Sequence, residues 1–183
     1  MLFAEFLGKK VLITGDVGKG KTRFTRQLLM EALKEGYAPH ITVIDMAPDQ
    51  VSLKGLIVGG KILKGEEFKI RYYDAGDVKT PRLSARNPNE LLDLAEHNRK
   101  IIEGLLRRFI ASPTKILFIN DVSIYLQRGN FDLLWSTLEK ADTAIVNGYC
   151  GEKLQDDLGT GLSKRERELM EKLADRVDVL IRL

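Results

Sequence analysis

The sequence predicts a three-layer α/β fold with a mainly parallel central sheet. Short apolar segments of strand character alternate with longer amphipathic segments of helical spacing, and this alternation is typical of α/β domains. The first two apolar segments, Lys10–Thr14 and His40–Asp45, flank a predicted helix, Arg23–Lys34. A strand, a crossover helix and a second strand form a βαβ unit, whose two strands are parallel. The length of 183 residues fits one domain spanning 1–183.

The residues between the first strand and the first helix carry the clearest chemical signal. Gly15–Thr22 fits G-x-x-x-x-G-K-[ST], the phosphate-binding loop (P-loop) motif, in the strand–helix setting that the motif requires. Its glycines let backbone N–H groups converge on phosphate oxygens, and the helix N-terminus adds its positive dipole end. The predicted nucleotide-binding residues are Gly15, Asp16, Val17, Gly18, Lys19, Gly20, Lys21, Thr22 and Arg23.

Four side chains are candidates for catalysis or for binding Mg²⁺. Lys21 is a catalytic candidate that reaches the β- and γ-phosphates, and the Thr22 hydroxyl is a candidate metal ligand. Asp45 ends the second strand, at the sheet edge that lines the ligand crevice, and is a catalytic candidate to position water or an acceptor hydroxyl. Asp121 ends the predicted strand Lys115–Asp121 and is both a catalytic candidate and the Walker B type carboxylate for Mg²⁺.

Residues 51–86 form the least regular part of the sequence and are predicted to be an insertion. Phe68–Tyr73 alternates enough to be a strand, and Lys64–Glu67 has the composition of a preceding turn, so a small β-hairpin is expected there. Lys79–Arg86 is basic and rich in turn residues. This second segment is either a lid over the site or a simple exposed loop.

The second half of the chain continues the α/β pattern. Asn87, followed by proline and later Glu90, predicts a helix start, and Ser163–Glu166 fits a capping box at another helix. Asn147 is followed by Gly148, so the guanine-reading Asn-Lys-x-Asp pattern is absent, which favours ATP over GTP. The predicted elements are helices 87–110, 131–138 and 163–174 and strands 115–121, 143–146 and 177–183.

Composition narrows the class of protein. A hydrophobic content of 44% with 30% charged residues is typical of a soluble globular protein. No apolar run approaches the ~18 residues of a membrane span, and the N-terminal segment lacks a signal-peptide pattern. The net charge of +3 is spread along the chain, which allows nucleic-acid binding without indicating it.

The sparse cysteine and histidine residues carry little chemistry. Cys150 is the one cysteine of the sequence, which excludes an internal disulfide and fits a cytoplasmic protein. His40 and His97 are isolated, so the sequence offers no zinc-type ligand cluster. High charge with few glutamine and cysteine residues favours a thermophilic source.

The whole chain resembles a compact P-loop NTPase domain. Gly18–Thr22 resembles the G-x-G-K-G-K-T loop of ATP:corrinoid adenosyltransferases. Leu117–Asp121 is similar in position to that family's V-L-D-E-like strand, and Ala174–Val177 resembles its closing A-D-x-V. Asn120-Asp121 stands in place of Asp-Glu, and Arg23 in place of the second threonine of the loop. This resemblance implies group transfer from ATP to a corrinoid.

A second resemblance lies after the second predicted strand. Asp45–Gln50 is similar to the acidic, glutamine-containing loop of polynucleotide kinases and MinD-like ATPases. Asp16 stands where the MinD-like branch carries an additional lysine. This resemblance implies phosphoryl transfer or partner-coupled hydrolysis.

The sequence therefore predicts an ATP-binding, Mg²⁺-dependent P-loop NTPase that hydrolyses ATP or transfers its phosphoryl group. Adenosyl transfer to a corrinoid and a non-enzymatic nucleotide-binding regulatory module are the alternatives. The acceptor or protein partner is left open, and self-association is allowed. A second catalytic cation is expected from one of four arginines: Arg71, Arg82, Arg86 or Arg128.

Overall fold

A six-stranded sheet forms the centre of the protein. The computed structural model describes residues 1–63 and 68–183. The strands in chain order are β1 Lys10–Gly15, β2 Ile41–Asp45, β3 Val51–Leu53, β4 Leu56–Val58, β5 Arg71–Asp74, β6 Ile116–Asn120, β7 Thr143–Tyr149 and β8 Val179–Arg182. The central sheet has the order β5-β2-β6-β7-β1-β8, with all its paired strands parallel.

Helices cover both faces of this sheet. They are α1 Lys21–Lys34, α2 Pro81–Ser84, α3 Pro88–Ala111, α4 Val122–Leu126, α5 Phe131–Glu139 and α6 Leu162–Ala174. On one face, a buried apolar cluster joins the sheet to α3, α4, α5 and α6. On the other face, a second cluster joins it to α1 and to a short 3₁₀ turn at Phe3–Phe6. These layers confirm the predicted three-layer α/β fold.

The central strands have apolar residues on both faces because both faces are covered. In β6, Leu117 and Ile119 pack in the cluster beneath α3 to α6, whereas Ile116 and Phe118 pack in the cluster beneath α1. A continuous apolar run is therefore the expected pattern for such a strand. The parallel arrangement brings the carboxyl ends of β1, β2, β6 and β7 to one edge of the sheet, where ligands bind in open α/β folds.

The hairpin lies at different residues from those predicted. β3 and β4 pair antiparallel around a two-residue turn, Lys54-Gly55, in which both residues have positive φ (51° and 76°), as in the turns that suit tight hairpins. The predicted hairpin strand Phe68–Tyr73 corresponds instead to β5, which pairs parallel with β2. The alternation indicated a strand, but it contained no information on the strand's partner. The predicted turn at 64–67 lies outside the described residues.

Two predicted element boundaries also differ. α6 begins after Gly161 (φ +78°), and no side chain caps it at that residue, so the predicted capping box is wrong. Glu166 is buried and bonded to Arg82 instead of turning back to the helix start. β6 ends at Asn120, and Asp121 follows it in a left-handed conformation with φ +62°.

Within residues 1–63 and 68–183, no helix combines the length and the apolar character needed to span a bilayer.

The start of α3 agrees with the sequence and gives a test of local stability. The Asn87 side chain accepts a hydrogen bond from the Glu90 N–H at 2.9 Å. We expect Asn87→Ala to lower the free energy of unfolding by about 1 kcal/mol, because the substitution removes this cap. Urea denaturation measures the change. Asn89→Ala, an exposed substitution in the same helical turn, is the matched control, and equal effects of the two substitutions would contradict the capping role.

Candidate functional site

The P-loop connects β1 to α1 at the carboxyl edge of the sheet. Gly18 and Gly20 adopt left-handed conformations with φ of +80° and +84°, which cost little for glycine. A Cβ atom at Gly15 would lie 2.8 Å from the Leu183 carbonyl oxygen, so this position also requires glycine. No side chain caps α1 at Gly20. Its first N–H groups can therefore bind an anion.

The Lys21 ammonium is held inside this loop. Its Nζ donates a hydrogen bond to the Asp16 carbonyl oxygen at 2.8 Å and lies 6.0 Å from the centre of the Tyr149 ring. Burial lowers the pKa of Lys21, although the carboxylates of Asp121 and Asp16 act in the opposite direction. The cation is therefore partly desolvated, and an anionic ligand would interact with it more strongly than in water.

The Asp16 side chain anchors the loop. It accepts hydrogen bonds from the Val17 N–H at 2.7 Å and the Glu152 N–H at 3.1 Å. Burial alone would raise the pKa of Asp16, but these backbone hydrogen bonds and the Lys153 charge lower it overall. A Cβ atom at Gly151 would lie 2.4 Å from the Asp16 carboxyl carbon, so glycine is required there too. Asp16 thus joins the P-loop to the segment that follows β7.

A buried chain of hydrogen bonds connects four elements of the site. The Thr22 hydroxyl donates to Asn120 Oδ1 at 3.3 Å. Asn147 Nδ2 donates to the same oxygen at 3.0 Å and to Thr25 Oγ1 at 2.8 Å. Asn120 Nδ2 donates to Asp45 Oδ1 at 2.8 Å. We call these five residues the polar chain; it ties α1 to β7, β6 and β2.

Asp45 is at the interior end of the polar chain. It is fully buried and also accepts hydrogen bonds from the Ile62 N–H and the Tyr72 hydroxyl, both at 2.7 Å. Burial raises the pKa of Asp45, and these hydrogen bonds act against the rise. With no exposed surface, this carboxylate does not reach the cleft beside the loop. The structure therefore separates Asp45 from Lys21 and Asp121, the other predicted catalytic residues.

Asp121 is the predicted carboxylate that faces the loop. Its N–H donates to Asn147 Oδ1 at 2.9 Å, and its Oδ1 accepts from the Ser123 hydroxyl at 2.8 Å. These bonds hold Asp121 in its left-handed conformation at the end of β6. The residue lines the same cleft as Lys21 and Thr22.

This P-loop cleft has a volume of about 410 Å³, within the usual range for a small-molecule site. Its walls come from the loop, from the residues around the β3–β4 hairpin and from the ends of β6 and β7. Of the predicted nucleotide-binding residues, Gly15, Asp16 and Lys19 complete the loop without lining the cleft. The lining residues are Val17, Gly18, Gly20, Lys21, Thr22, Arg23, Ala47, Ile57, Val58, Gly59, Gly60, Asp121, Asn147, Tyr149 and Leu154.

The residues of the cleft fit Mg²⁺ bound together with phosphate. Mg²⁺ takes oxygen ligands and usually combines one or two carboxylates with phosphate oxygens and water. The Thr22 hydroxyl and the Asp121 carboxylate line one cleft and supply this chemistry. Across the part of the chain that the structure describes, no group of three or more His, Cys, Asp or Glu side chains could hold a metal ion by itself.

Arg82 is placed beside the cleft by a buried ion pair. Its guanidinium contacts both Glu166 carboxylate oxygens, at 2.9 and 3.1 Å, with the side chains only 7% and 3% exposed. Burial raises the pKa of Glu166 to about 7, and Arg82 acts against this rise. Its guanidinium carbon lies 5.4 Å from the Tyr149 ring centre. The segment predicted as a lid or exposed loop is therefore partly packed, through Arg82 and the buried Pro81.

The other candidate arginines are engaged elsewhere. Arg71 donates to the Ser112 carbonyl oxygen, Arg86 pairs with Glu90, and Arg128 lies 3.9 Å from a Glu96 carboxylate oxygen.

Sequence reasoning missed the residues that depend on long-range contacts. Asn147 and Tyr149 follow no motif, although both lie at the end of a predicted strand, which is a weak positional signal. Gly59 approaches Pro48 and Asp49 so closely that a Cβ atom would lie 2.6 Å from the Asp49 carbonyl oxygen. The sequence carried no sign that Ile57 to Gly60 would face the P-loop.

Comparison with known proteins supports the fold. No protein-family model matches the sequence, and no curated protein is significantly similar to it. Among solved structures, the chain is similar to the flagellar accessory protein FlaH from Methanocaldococcus jannaschii, with a TM-score of 0.51 and 13% identity over 96% of this chain and 71% of that one. At this identity the similarity concerns the fold alone. The chain has the α/β fold of the P-loop NTPases, and the two narrower resemblances stay predictions.

A substitution at the contact between Asn120 and Asp45 tests the polar chain. We expect Asn120→Asp to lower the free energy of unfolding at pH 7 by about 2 to 4 kcal/mol, because it places two buried carboxyl groups in contact. One of the two then has a folded-state pKa above the ~4 of the unfolded chain. The stability of the variant is therefore highest below pH ~4 and is lost as the pH rises through the raised pKa.

Thermal unfolding across pH measures this effect. Asn130→Asp is the matched control, because Asn130 caps α5 by accepting N–H hydrogen bonds, which aspartate also does. The measured quantity is the difference in stability between Asn120→Asp and this control. A difference that is the same at pH 7 as at pH 4 would contradict the proposed polar chain.

Proposed function

We propose that this protein binds ATP with Mg²⁺ in the P-loop cleft and hydrolyses it or transfers its γ-phosphoryl group. One observation carries the proposal: Lys21, Thr22 and Asp121, from two separate strand–helix junctions, line a single cleft beside the start of α1, which no side chain caps. A phosphate-binding backbone, a cation and oxygen ligands for a metal are the parts that phosphoryl transfer requires.

Each part has a distinct role in this proposal. The loop N–H groups and the start of α1 bind the β- and γ-phosphates. Lys21 stabilises the charge of the transferring phosphoryl group. Thr22 and Asp121 are the residues that would hold Mg²⁺, which supplies further charge neutralisation when bound.

Asp45 has a different role from that of the other two predicted catalytic residues. Because it is fully buried, we assign it a positioning role: it orients Asn120, which in turn accepts from the Thr22 hydroxyl. Lys21 and Asp121 keep their predicted roles at the cleft.

The environment of Asn147 supports ATP over GTP. Its amide nitrogen donates one hydrogen to Asn120 and the other to Thr25. Its amide oxygen accepts from the Asp121 N–H. Among the described residues, Asn147 therefore has no amide hydrogen left to donate to a base edge, in agreement with the missing Asn-Lys-x-Asp pattern.

Isothermal titration with Mg-ATP tests the proposal. We expect Lys21→Ala to weaken binding about 10- to 100-fold, because it removes a charge-assisted contact worth about 1.5–3 kcal/mol. Lys34→Ala, an exposed lysine at the end of the same helix, is the matched control and should bind as the wild type does. No binding by the wild type, or equal binding by Lys21→Ala, would refute the assignment.

Product analysis then separates the uses of the site. ADP with free phosphate or with a phosphorylated acceptor supports hydrolysis or phosphoryl transfer. Released triphosphate indicates adenosyl transfer, and tight binding without turnover indicates a regulatory module.

A further inference from the structure

A second cavity opens beside the P-loop cleft. This side pocket, about 60 Å³ in volume, lies between the residues after β4, helix α2 and helix α4. Pro81, Leu83 and Ile124 contribute apolar walls. Asp121 and Tyr149 line both the side pocket and the P-loop cleft, so the two spaces are adjacent.

Gln127 belongs to the wall of the side pocket and carries a polar atom that no other described residue bonds. The residue lines the pocket but is only 3% exposed. Its Nε2 donates to Glu166 Oε2 at 2.8 Å. Its Oε1 is buried and has no hydrogen-bond partner among residues 1–63 and 68–183. Buried acceptors are normally paired, so an exception of this kind requires a physical explanation.

The surrounding contacts fix the orientation of Gln127. Glu166 accepts from the Gln127 amide nitrogen and from the Arg82 guanidinium at the same time. Reversal of the Gln127 amide would place its oxygen against this carboxylate. The contact with Glu166 therefore holds the Gln127 amide in place, with Oε1 as its remaining acceptor, and the Arg82 guanidinium is already engaged by Glu166.

We propose that the side pocket binds the acceptor of phosphoryl transfer, a small neutral alcohol with a second hydrogen-bond donor. This inference rests on the proposed ATP-binding function. The pocket volume admits only a few non-hydrogen atoms, the apolar walls contact the carbon frame, and Gln127 Oε1 accepts from one donor group. The other hydroxyl of the alcohol then lies toward Asp121, at the side of the P-loop cleft.

The transfer step follows from this placement. The acceptor hydroxyl oxygen forms a bond to the γ-phosphorus of ATP, and the bond from that phosphorus to the β,γ-bridging oxygen breaks. ADP leaves with the electron pair of the broken bond, and the hydroxyl proton is released to water. The residues of the side pocket act by positioning, which is the main demand of a loose phosphoryl-transfer transition state.

Phosphorylation of probe alcohols tests the inference. Wild-type protein is incubated with Mg-ATP and, separately, with glycerol, 1,2-propanediol or 1,3-propanediol, and phosphorus NMR detects the phosphate ester. We expect an ester from at least one probe. Gln127→Met, which keeps the side-chain length but removes the acceptor, should raise the KM for that alcohol at least about tenfold while leaving Mg-ATP affinity unchanged.

Two further variants make the result decisive. Leu83→Phe fills the side pocket and should abolish ester formation while ATP still binds. Gln27→Met makes the same chemical change at an exposed residue of α1 and should behave as the wild type does.

The outcomes separate this inference from the function on which it rests. If the protein binds Mg-ATP but forms only free phosphate with every probe alcohol, the acceptor pocket is refuted and the proposed ATP hydrolysis stands. Equal ester formation by wild type, Gln127→Met and Leu83→Phe also overturns it. Absence of Mg-ATP binding in the titration overturns both proposals.

Discussion

The site depends on the buried polar chain that runs from α1 to β2. Asn120 ends β6, and Asn147 lies two residues before the end of the neighbouring strand β7. Their amide groups join Thr22 and Thr25 on α1 to Asp45. Because buried polar groups lose stability when they are unpaired, these bonds couple the position of α1 to the positions of the strands. The P-loop joins β1 to α1, so its shape depends on this coupling.

A neutral amide in the middle of this chain also sets the charge of the site. Asn120 donates to Asp45 and accepts from Thr22. A carboxylate at this position has no hydrogen to donate, and it would meet the Asp45 carboxyl group at hydrogen-bonding distance. The acid that faces the cleft is instead Asp121, one residue later, turned by its left-handed backbone. The amide thus separates a buried structural carboxylate from one that a ligand can reach.

The region between β2 and α3 closes the site from the other side. The hairpin brings Ile57 to the P-loop cleft, with 61% of its surface exposed. Arg82 anchors α2 to Glu166 on α6. The contact between Arg82 and Glu166 joins residues 84 positions apart in the chain. The side pocket, which Gln127 lines, lies between the hairpin, α2 and α4.

The features that could be predicted from the amino-acid sequence are those that local chemistry controls. The α/β layers follow from apolar runs and helical spacing, the P-loop from its glycines, and the start of α3 from Asn87. Tertiary structure alone decided where the hairpin lies, which residue begins α6, and that Asp45 is buried whereas Asp121 faces the cleft. Each of these depends on partners distant in the chain, such as Arg82 for Glu166, and the spacing of residues within a segment carries no information about such partners.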